Sequence, residues 1–163
     1  MDLRLMLTTL HSLQDMRVFA AEIAGSLLGG EILGLEGELG TGKTEFVRGL
    51  AEALGSIDPV KSPSFTLLNH YRLNHSTIKH LIHVDLYRLD KLGTGHSTSL
   101  MTGRLEGANT NALEHIGLDE WLGQDDAVIV IEWPERLPIS FSKMRTLRFS
   151  YGEQESDRVI EFK

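Results

Sequence analysis

One short segment of the chain has the residue types and spacing of a phosphate-binding loop. Residues 37–44 read Gly-Glu-Leu-Gly-Thr-Gly-Lys-Thr, a complete match to the pattern G-x-x-x-x-G-K-[ST]. Glycines let such a loop bend around phosphate oxygens, so that successive backbone N–H groups point at the anion. In this pattern the lysine reaches the β- and γ-phosphates of a nucleotide, and the final hydroxyl binds Mg²⁺. The motif therefore assigns Lys43 to the phosphates and Thr44 to the metal.

Two acidic residues that could complete a magnesium site each follow an apolar run. Asp85 comes directly after Leu-Ile-His-Val, and Glu132 comes directly after Val-Ile-Val-Ile. Carboxylates at the ends of buried strands are the expected partners of Mg²⁺ beside a phosphate-binding loop. The residues alone do not rank the two acids, since either could hold the metal or orient a water molecule. His83 shares a strand face with Asp85, which predicts a hydrogen-bonding role for this histidine.

The segments on either side of the loop are those that a nucleotide site requires. A brief apolar run at residues 32–36 predicts a strand that leads into the loop. After the loop, apolar residues recur at helical spacing, which predicts a helix that starts near Lys43 and ends at Gly55. This order of strand, glycine loop and helix favours a nucleotide site over a chance match in an ordinary glycine-rich turn.

The rest of the sequence predicts further strands and helices around the strand, loop and helix just described. Ser12 followed by Asp15 predicts the start of a helix that Gly29 and Gly30 end. Period-two patterns and apolar runs predict strands at residues 3–7, 64–71, 80–86 and 127–131, and a terminal hairpin from 145–151 and 158–162. A further helix is predicted over 112–122. Eight of the 11 residues in 93–103 are Gly, Ser or Thr, so we interpret 93–110 as a flexible surface insertion.

Length, charge and composition exclude several classes of protein. At 163 residues the chain is long enough for one domain of about 150 residues. Its 16 basic and 23 acidic residues give a net charge of −7, which argues against independent binding to a nucleic-acid backbone. The absence of cysteine excludes disulfides and cysteine chemistry. Since no apolar run approaches the ~18 residues of a membrane span, we expect a soluble, cytoplasmic domain.

The loop motif indicates a nucleotide but does not say what is done with it. A guanine-specific GTPase would need an N-K-x-D tetrapeptide, and none occurs in the sequence. A small-molecule kinase stays open, with Arg88 and Arg104 as candidate lid arginines. A nucleotide-gated binding module, which would bind ATP and a partner without turnover, is the third alternative.

Four blocks of sequence together resemble the TsaE (YjeE) family of small bacterial P-loop ATPases. They are GELGTGKTEFVRG at 37–49, VKSPSFTL at 60–67, HVDLYRL at 83–89 and IEWPERL at 131–137. The family is required for the threonylcarbamoyl modification of adenosine 37 in tRNA. The chain departs from the family pattern at Ser64, where threonine is usual, and in the greater length of 93–110.

The resemblance implies a fold, an activity and partners. The implied fold is a single α/β P-loop NTPase domain over residues 1–163, with a mixed β-sheet, helices on both faces and a C-terminal β-hairpin. The implied activity is ATP binding with Mg²⁺ and slow ATP hydrolysis that depends on partners. Those partners are the TsaB and TsaD proteins, the second of which transfers the threonylcarbamoyl group.

The resemblance also implies roles for individual residues. Asp85 is the essential acid and acts with Lys43 in catalysis, while Glu132 lies near Mg²⁺ with Thr44. The segment from Ser62 to Thr66 would be switch-like, beside the nucleotide. The implied nucleotide-binding residues are Glu38, Leu39, Gly40, Thr41, Gly42, Lys43, Thr44 and Arg158, and the implied metal-binding residues are Thr44, Glu132 and Asp85.

Overall fold

The computed structural model describes residues 7–61, 63, 66–88, 116–137 and 139–163. Within these residues, seven strands form one sheet and two α-helices pack on it. The strands are β1 Leu7–Leu10, β2 Ile32–Gly37, β3 Leu68–Arg72, β4 His80–Asp85, β5 Ala127–Glu132, β6 Arg145–Tyr151 and β7 Arg158–Phe162. The helices are α1 Leu13–Ser26 and α2 Lys43–Ala53, and a short 3₁₀ turn spans Pro134–Arg136.

The strand order β1-β7-β6-β2-β5-β4-β3 puts the predicted site residues at one edge of the sheet. Strand β2 lies between β5 and β6 and runs parallel to both, and β4 runs parallel to β5. The carboxyl ends of β2, β4 and β5 therefore meet, which is where open α/β sheets bind ligands. In the β4–β5 register Asp85 stands opposite Glu132. The mixed sheet and the antiparallel β6–β7 hairpin confirm the predicted fold class.

Both helices begin where local sequence signals predict. The Ser12 hydroxyl accepts a hydrogen bond from the Asp15 N–H at 3.1 Å, while the Asp15 carboxylate accepts one from the His11 N–H at 2.8 Å. These bonds satisfy backbone donors at the start of α1. Helix α2 begins at Lys43, directly after Gly42. The two helices join the sheet through a cluster of aromatic rings, with Phe46 centred 5.9 Å from Phe19 and 5.6 Å from Phe149.

Alternating side chains of the central strands divide the core between the two faces of the sheet. Val128 and Val130 pack on the α1–α2 side, whereas Ile129 and Ile131 pack on the opposite side. In the described residues that opposite side is covered by the helical residue Ile116 and by turn and loop segments at 117–122, 137 and 139–141. Of the helix predicted over 112–122, residues 112–115 lie outside the described part of the chain, Ile116 is helical, and the helix ends there. Gly117 has a φ of +71°, and turns follow it.

Other predicted boundaries shift where backbone geometry intervenes. Of the strand predicted at 64–71, residues 64 and 65 lie outside the described part of the chain. The observed strand begins at Leu68, because Leu67 has a left-handed φ of +60° that interrupts extended backbone. The first strand is found at Leu7–Leu10, while residues 1–6, like the predicted insertion 93–110, lie outside the described part of the chain. Among the helices that the structure describes, none is long and apolar enough to cross a membrane.

Candidate functional site

The loop between β2 and α2 depends on glycine at the positions where its backbone turns. Gly37, Gly40 and Gly42 have φ values of +135°, +82° and +99°, a region that other residues rarely adopt. A Cβ atom on Gly42 would also lie only 2.9 Å from the terminal methyl of Met16 on α1. The loop is therefore shaped by residues that the motif specifies, and α2 directs its N-terminal N–H groups at the space it encloses.

Lys43 is buried beneath this loop, with only 4% of its surface exposed. Its Nζ donates to the carbonyl oxygens of Gly37 at 2.6 Å and Glu38 at 2.8 Å, and lies 4.2 Å from the ring centre of Trp133. Burial lowers the pKa of Lys43 from its ordinary value, and the negative charges of Glu132 and Asp85 oppose that shift. The ammonium group is thus held by its own loop, next to acidic groups.

Thr44 and Glu132 meet although they are 88 positions apart in the chain. The Thr44 hydroxyl donates to Glu132 Oε1 at 2.9 Å, and Glu132 is 3% exposed. A hydroxyl beside a carboxylate is an all-oxygen donor set, which is the chemistry that Mg²⁺ prefers over nitrogen or sulfur. The residues present therefore fit a magnesium ion.

Asp85 lies opposite Glu132 but makes different contacts. Its Oδ1 accepts a hydrogen bond from the Tyr87 N–H at 3.0 Å, and its own N–H donates to the Leu67 carbonyl at 2.9 Å. Burial raises the pKa of Asp85, and the nearby charge of Glu132 adds to the increase. The structure thus distinguishes the two acids that the sequence left unranked, since only Glu132 is hydrogen-bonded to Thr44.

A cavity of about 960 Å³ opens over these groups. Eight of the ten predicted site residues line it: Leu39, Gly40, Gly42, Lys43, Thr44, Asp85, Glu132 and Arg158. The other two, Glu38 and Thr41, line a second cavity that shares Trp133 with the first. The Glu38 carbonyl, which holds Lys43, also accepts from the Thr41 hydroxyl at 2.8 Å. The Glu38 backbone and the Thr41 side chain therefore shape the loop, and neither residue lines the main cavity.

In the described part of the chain, two side chains of the terminal hairpin donate hydrogen bonds to carbonyl oxygens of the loop, and the sequence analysis identified only one of them. Arg158 donates from Nη2 to the Gly40 carbonyl at 3.3 Å, and its guanidinium lies 4.8 Å from the ring centre of Tyr151. Tyr151 donates from its hydroxyl to the Leu39 carbonyl at 2.8 Å. Nothing in the alternating pattern of β6 distinguishes Tyr151 from an ordinary strand end, so no local signal could have found it.

Trp133 lines the same cavity, Arg136 packs against Trp133, and neither was predicted as a site residue. Trp133 directly follows Glu132 with a left-handed φ of +61°, a conformation that is costly for a bulky residue. Arg136 donates to the carbonyl oxygens of Leu86 and Tyr87, and its guanidinium lies 5.0 Å from the Trp133 ring. Arg136 thereby ties the segment after Asp85 to the segment after Glu132.

The predicted switch-like segment borders the cavity where it is described. Pro63 lines the cavity, and the Thr66 hydroxyl donates to Asn69 Oδ1 at 3.0 Å. Ser62, Ser64 and Phe65 lie outside the described residues. Of the two candidate lid arginines, Arg88 lines the cavity, and Arg104 lies in the undescribed part of the chain.

A solved structure with the same fold is the crystal structure of Bacillus subtilis YdiB. The two superpose with a TM-score of 0.61 at 24% sequence identity, covering 97% of this chain and 84% of that one. This similarity supports the α/β P-loop NTPase fold.

The sequence also matches a protein family along most of its length. Curated relatives named tRNA threonylcarbamoyladenosine biosynthesis protein TsaE include one from Synechocystis, 36% identical over 72% of this chain, and one from Nostoc, 32% identical over 80%. The matches span 62% of the Synechocystis protein and 69% of the Nostoc protein. The family model described as Threonylcarbamoyl adenosine biosynthesis protein TsaE matches residues 10–160, and the chain therefore belongs to the TsaE family.

Proposed function

We propose that this protein binds ATP with Mg²⁺, hydrolyses it slowly, and serves the threonylcarbamoyl modification of tRNA. One observation carries the proposal: a buried ammonium, a hydroxyl and two carboxylates converge on a single cavity at the carboxyl edge of the sheet. These are Lys43, Thr44, Asp85 and Glu132. Their chemistry matches what phosphoryl transfer needs, which is mainly positioning and electrostatic stabilisation.

The phosphate groups of the nucleotide would be held by the loop and by Lys43. The first N–H groups of α2 have no partner within the helix and carry its positive dipole end, so they favour an anion. Lys43 adds a full positive charge at the base of the same loop. Burial increases the strength of this charge because little water screens it.

The metal would be held by the Thr44 hydroxyl and by Glu132, with Asp85 at the same edge. When bound, Mg²⁺ supplies neutralisation of the charge that develops on the β- and γ-phosphate oxygens. We assign Asp85 to the water molecules around this metal or to the attacking water, because it lies opposite Glu132 and lines the cavity.

The role in tRNA modification, with TsaB and TsaD as partners, is supported by membership of the family. The relatives named for threonylcarbamoyladenosine biosynthesis match this chain over roughly three quarters of its length. We propose that the chain is weakly active alone and that the TsaB–TsaD complex stimulates it. The acidic net charge of −7 supports a role exerted through protein partners rather than through direct contact with tRNA.

The test is Mg²⁺-dependent phosphate release from ATP, measured for the chain alone and with purified TsaB and TsaD. Lys43→Ala should lower turnover by at least ~100-fold, about 2.7 kcal/mol of activation free energy, because it removes the buried charge at the phosphates. Lys143→Ala, which removes an exposed lysine outside the cavity, is the matched control and should behave as wild type.

The possible results test the nucleotide site and the partner role separately. Unchanged turnover in Lys43→Ala would overturn the nucleotide site. Release that is indifferent to TsaB and TsaD would leave the ATPase and remove the partner role. Consumption of ATP only with an added small acceptor would instead identify a kinase, for which the one supporting observation is that Arg88 lines the cavity. Binding without any turnover would identify a nucleotide-gated binding module.

A further inference from the structure

A completely buried histidine contacts the carboxylate at the centre of the site. His83 lies on β4 with no exposed surface, and its Nε2 is 2.8 Å from Glu132 Oε1. The same oxygen accepts the hydrogen bond from the Thr44 hydroxyl at 2.9 Å. Glu132 is therefore held from two sides, by a residue of α2 and by a residue of β4.

The surroundings of the imidazole determine which nitrogen carries the hydrogen. An ionised carboxylate only accepts hydrogen bonds, so Nε2 must be the donor to Glu132. The other nitrogen, Nδ1, is buried and has no hydrogen-bond partner among the described residues. If the hydrogen were on Nδ1 instead, it would be a buried donor without an acceptor. The unprotonated Nε2 and Glu132 Oε1 would then be two acceptors facing each other, so this arrangement has the higher free energy.

We propose that His83 is a positioning residue that fixes the Glu132 carboxylate for metal binding. This inference rests on the proposed function, because it concerns the same magnesium site. A glutamate side chain has three rotatable bonds, and ordering it costs conformational entropy. The two hydrogen bonds to Oε1 already order the Glu132 side chain before the metal binds. They leave Oε2 for a ligand in the cavity that Glu132 lines. Residues that orient metal ligands in this way commonly change metal affinity or activity by 10- to 100-fold when mutated.

The alternative is that His83 is only a core residue whose polar atom happens to meet a carboxylate. That role would lower stability on mutation without changing how nucleotide binding depends on Mg²⁺. The two roles therefore differ in the Mg²⁺ dependence, and activity alone does not separate them.

The first experiment compares two amide variants that differ in reach. His83→Gln places its amide nitrogen near the position of Nε2, whereas His83→Asn places it near Nδ1, too far from Glu132. Binding of a fluorescent ATP analogue is measured in EDTA and at increasing Mg²⁺. We expect His83→Asn to raise the half-saturating Mg²⁺ concentration at least ~10-fold, with affinity in EDTA unchanged, and His83→Gln to recover most of the loss.

Leu81→Ala is the matched control for lost stability. Leu81 lies two residues earlier on the same strand, is fully buried, and packs in the α1–α2 core. This variant should lower the melting temperature without shifting the Mg²⁺ dependence. Equal Mg²⁺ dependence in wild type and a folded His83→Asn would overturn the positioning role while leaving the proposed function intact. A wild type that binds nucleotide without any response to Mg²⁺ would overturn both.

A second measurement uses the wild-type protein and needs no variant to fold. Long-range ¹H–¹⁵N correlation spectra distinguish a protonated from an unprotonated imidazole nitrogen. We expect His83 to show hydrogen on Nε2 and a lone pair on Nδ1, and to lose this fixed tautomer in Glu132→Ala. A lone pair on Nε2 with the hydrogen on Nδ1 in the wild type would overturn the inferred contact and with it the positioning role.

Discussion

Asp85 and Glu132 occupy facing positions on β4 and β5, yet their contacts differ. Glu132 receives hydrogen bonds from Thr44 and His83 and is almost completely buried. Asp85 receives one from the Tyr87 N–H, and burial raises its pKa. A carboxylate whose charged form is disfavoured in the folded protein opposes folding at neutral pH, which is typical of residues retained for function.

Asp85→Asn should reduce activity and increase stability together. Because the folded-state pKa of Asp85 is raised above its ordinary value of 3.8, its stabilising contribution is present below pH 3.8 and is lost as the pH rises through the raised pKa. Asparagine keeps the oxygen that accepts from Tyr87 and removes the charge. We expect turnover to fall ~100-fold with ATP affinity nearly unchanged, and the melting temperature at neutral pH to rise.

The measurements are phosphate release and thermal unfolding without Mg²⁺ at several pH values. The gain in melting temperature should shrink as the pH is lowered towards the ordinary range of a carboxyl group. Asp119→Asn, which neutralises an exposed acid outside the cavity, is the control for net charge. A lower melting temperature together with full turnover would contradict both the destabilising effect of the buried Asp85 charge and the catalytic role of Asp85.

At the scale of secondary structure elements, the β6–β7 hairpin supports the phosphate-binding loop. Tyr151 and Arg158 stand opposite each other in the hairpin register and donate to the carbonyl oxygens of Leu39 and Gly40. Leu39 itself is 63% exposed, so packing contributes little to holding this part of the loop. The hairpin thus supplies contacts that the loop lacks within its own sequence.

Tyr151→Phe should weaken nucleotide binding while leaving the chemical step intact. The substitution removes the bond to the Leu39 carbonyl and keeps the ring under Arg158. One such hydrogen bond is worth about 1 kcal/mol, which corresponds to roughly fivefold weaker nucleotide binding. Binding titrations and turnover at saturating ATP provide the measurements.

Ser150→Ala is the neighbouring control for this variant. The Ser150 hydroxyl bonds within the hairpin, to the Val159 carbonyl, and no bond from it to the loop is present in the described residues. It should leave nucleotide affinity unchanged. If Tyr151→Phe binds nucleotide as the wild type does, the hairpin does not organise the loop.

At the scale of the whole molecule, the two ends of the described chain close against each other. Strand β1 pairs with β7, and His11 Nδ1 lies 3.0 Å from Asp157 Oδ1 across 146 positions of sequence. The hydrogen bond from His11 lowers the pKa of Asp157, and the same bond together with the Asp157 charge raises the pKa of His11. The pair joins the segment just before α1 to the residue before β7, and it makes the stability of the folded protein depend on pH.

His11→Gln should lose part of the pH dependence of stability. A raised pKa means that the stabilisation from His11 is complete below its ordinary value of 6.5 and disappears as the pH rises through the raised value. The excess melting temperature of the wild type over His11→Gln should therefore be greater near pH 6 than near pH 8. It should also shrink with salt, because the His11 side chain is 68% exposed.

Asp157→Asn provides the reciprocal test by thermal unfolding. If the two side chains act on each other, the double variant should show no more loss of pH dependence than His11→Gln alone. Additive losses in the double variant would show that the two residues titrate independently.

Local signals predicted a large part of the fold. The start of α2, the buried strand β5 and the hairpin follow from neighbouring residues, because periodicity, caps and glycine positions act over a few residues. The left-handed residues Leu67 and Trp133 were missed, since neither type favours that conformation and tertiary contacts must impose it. Tyr151 was missed because its partner lies 112 positions away.

The sequence by itself determined the match of residues 37–44 to the phosphate-binding loop pattern, the resemblance to the TsaE family and the choice of Asp85 and Glu132 as candidate acids. These depend on residue types at short, fixed spacings. Only the tertiary structure decided that Thr44 and His83 meet on one oxygen of Glu132, across 88 and 49 positions. The physical reason is that strand order and register set which distant side chains come within hydrogen-bonding distance, and neither is encoded in any short stretch of the chain.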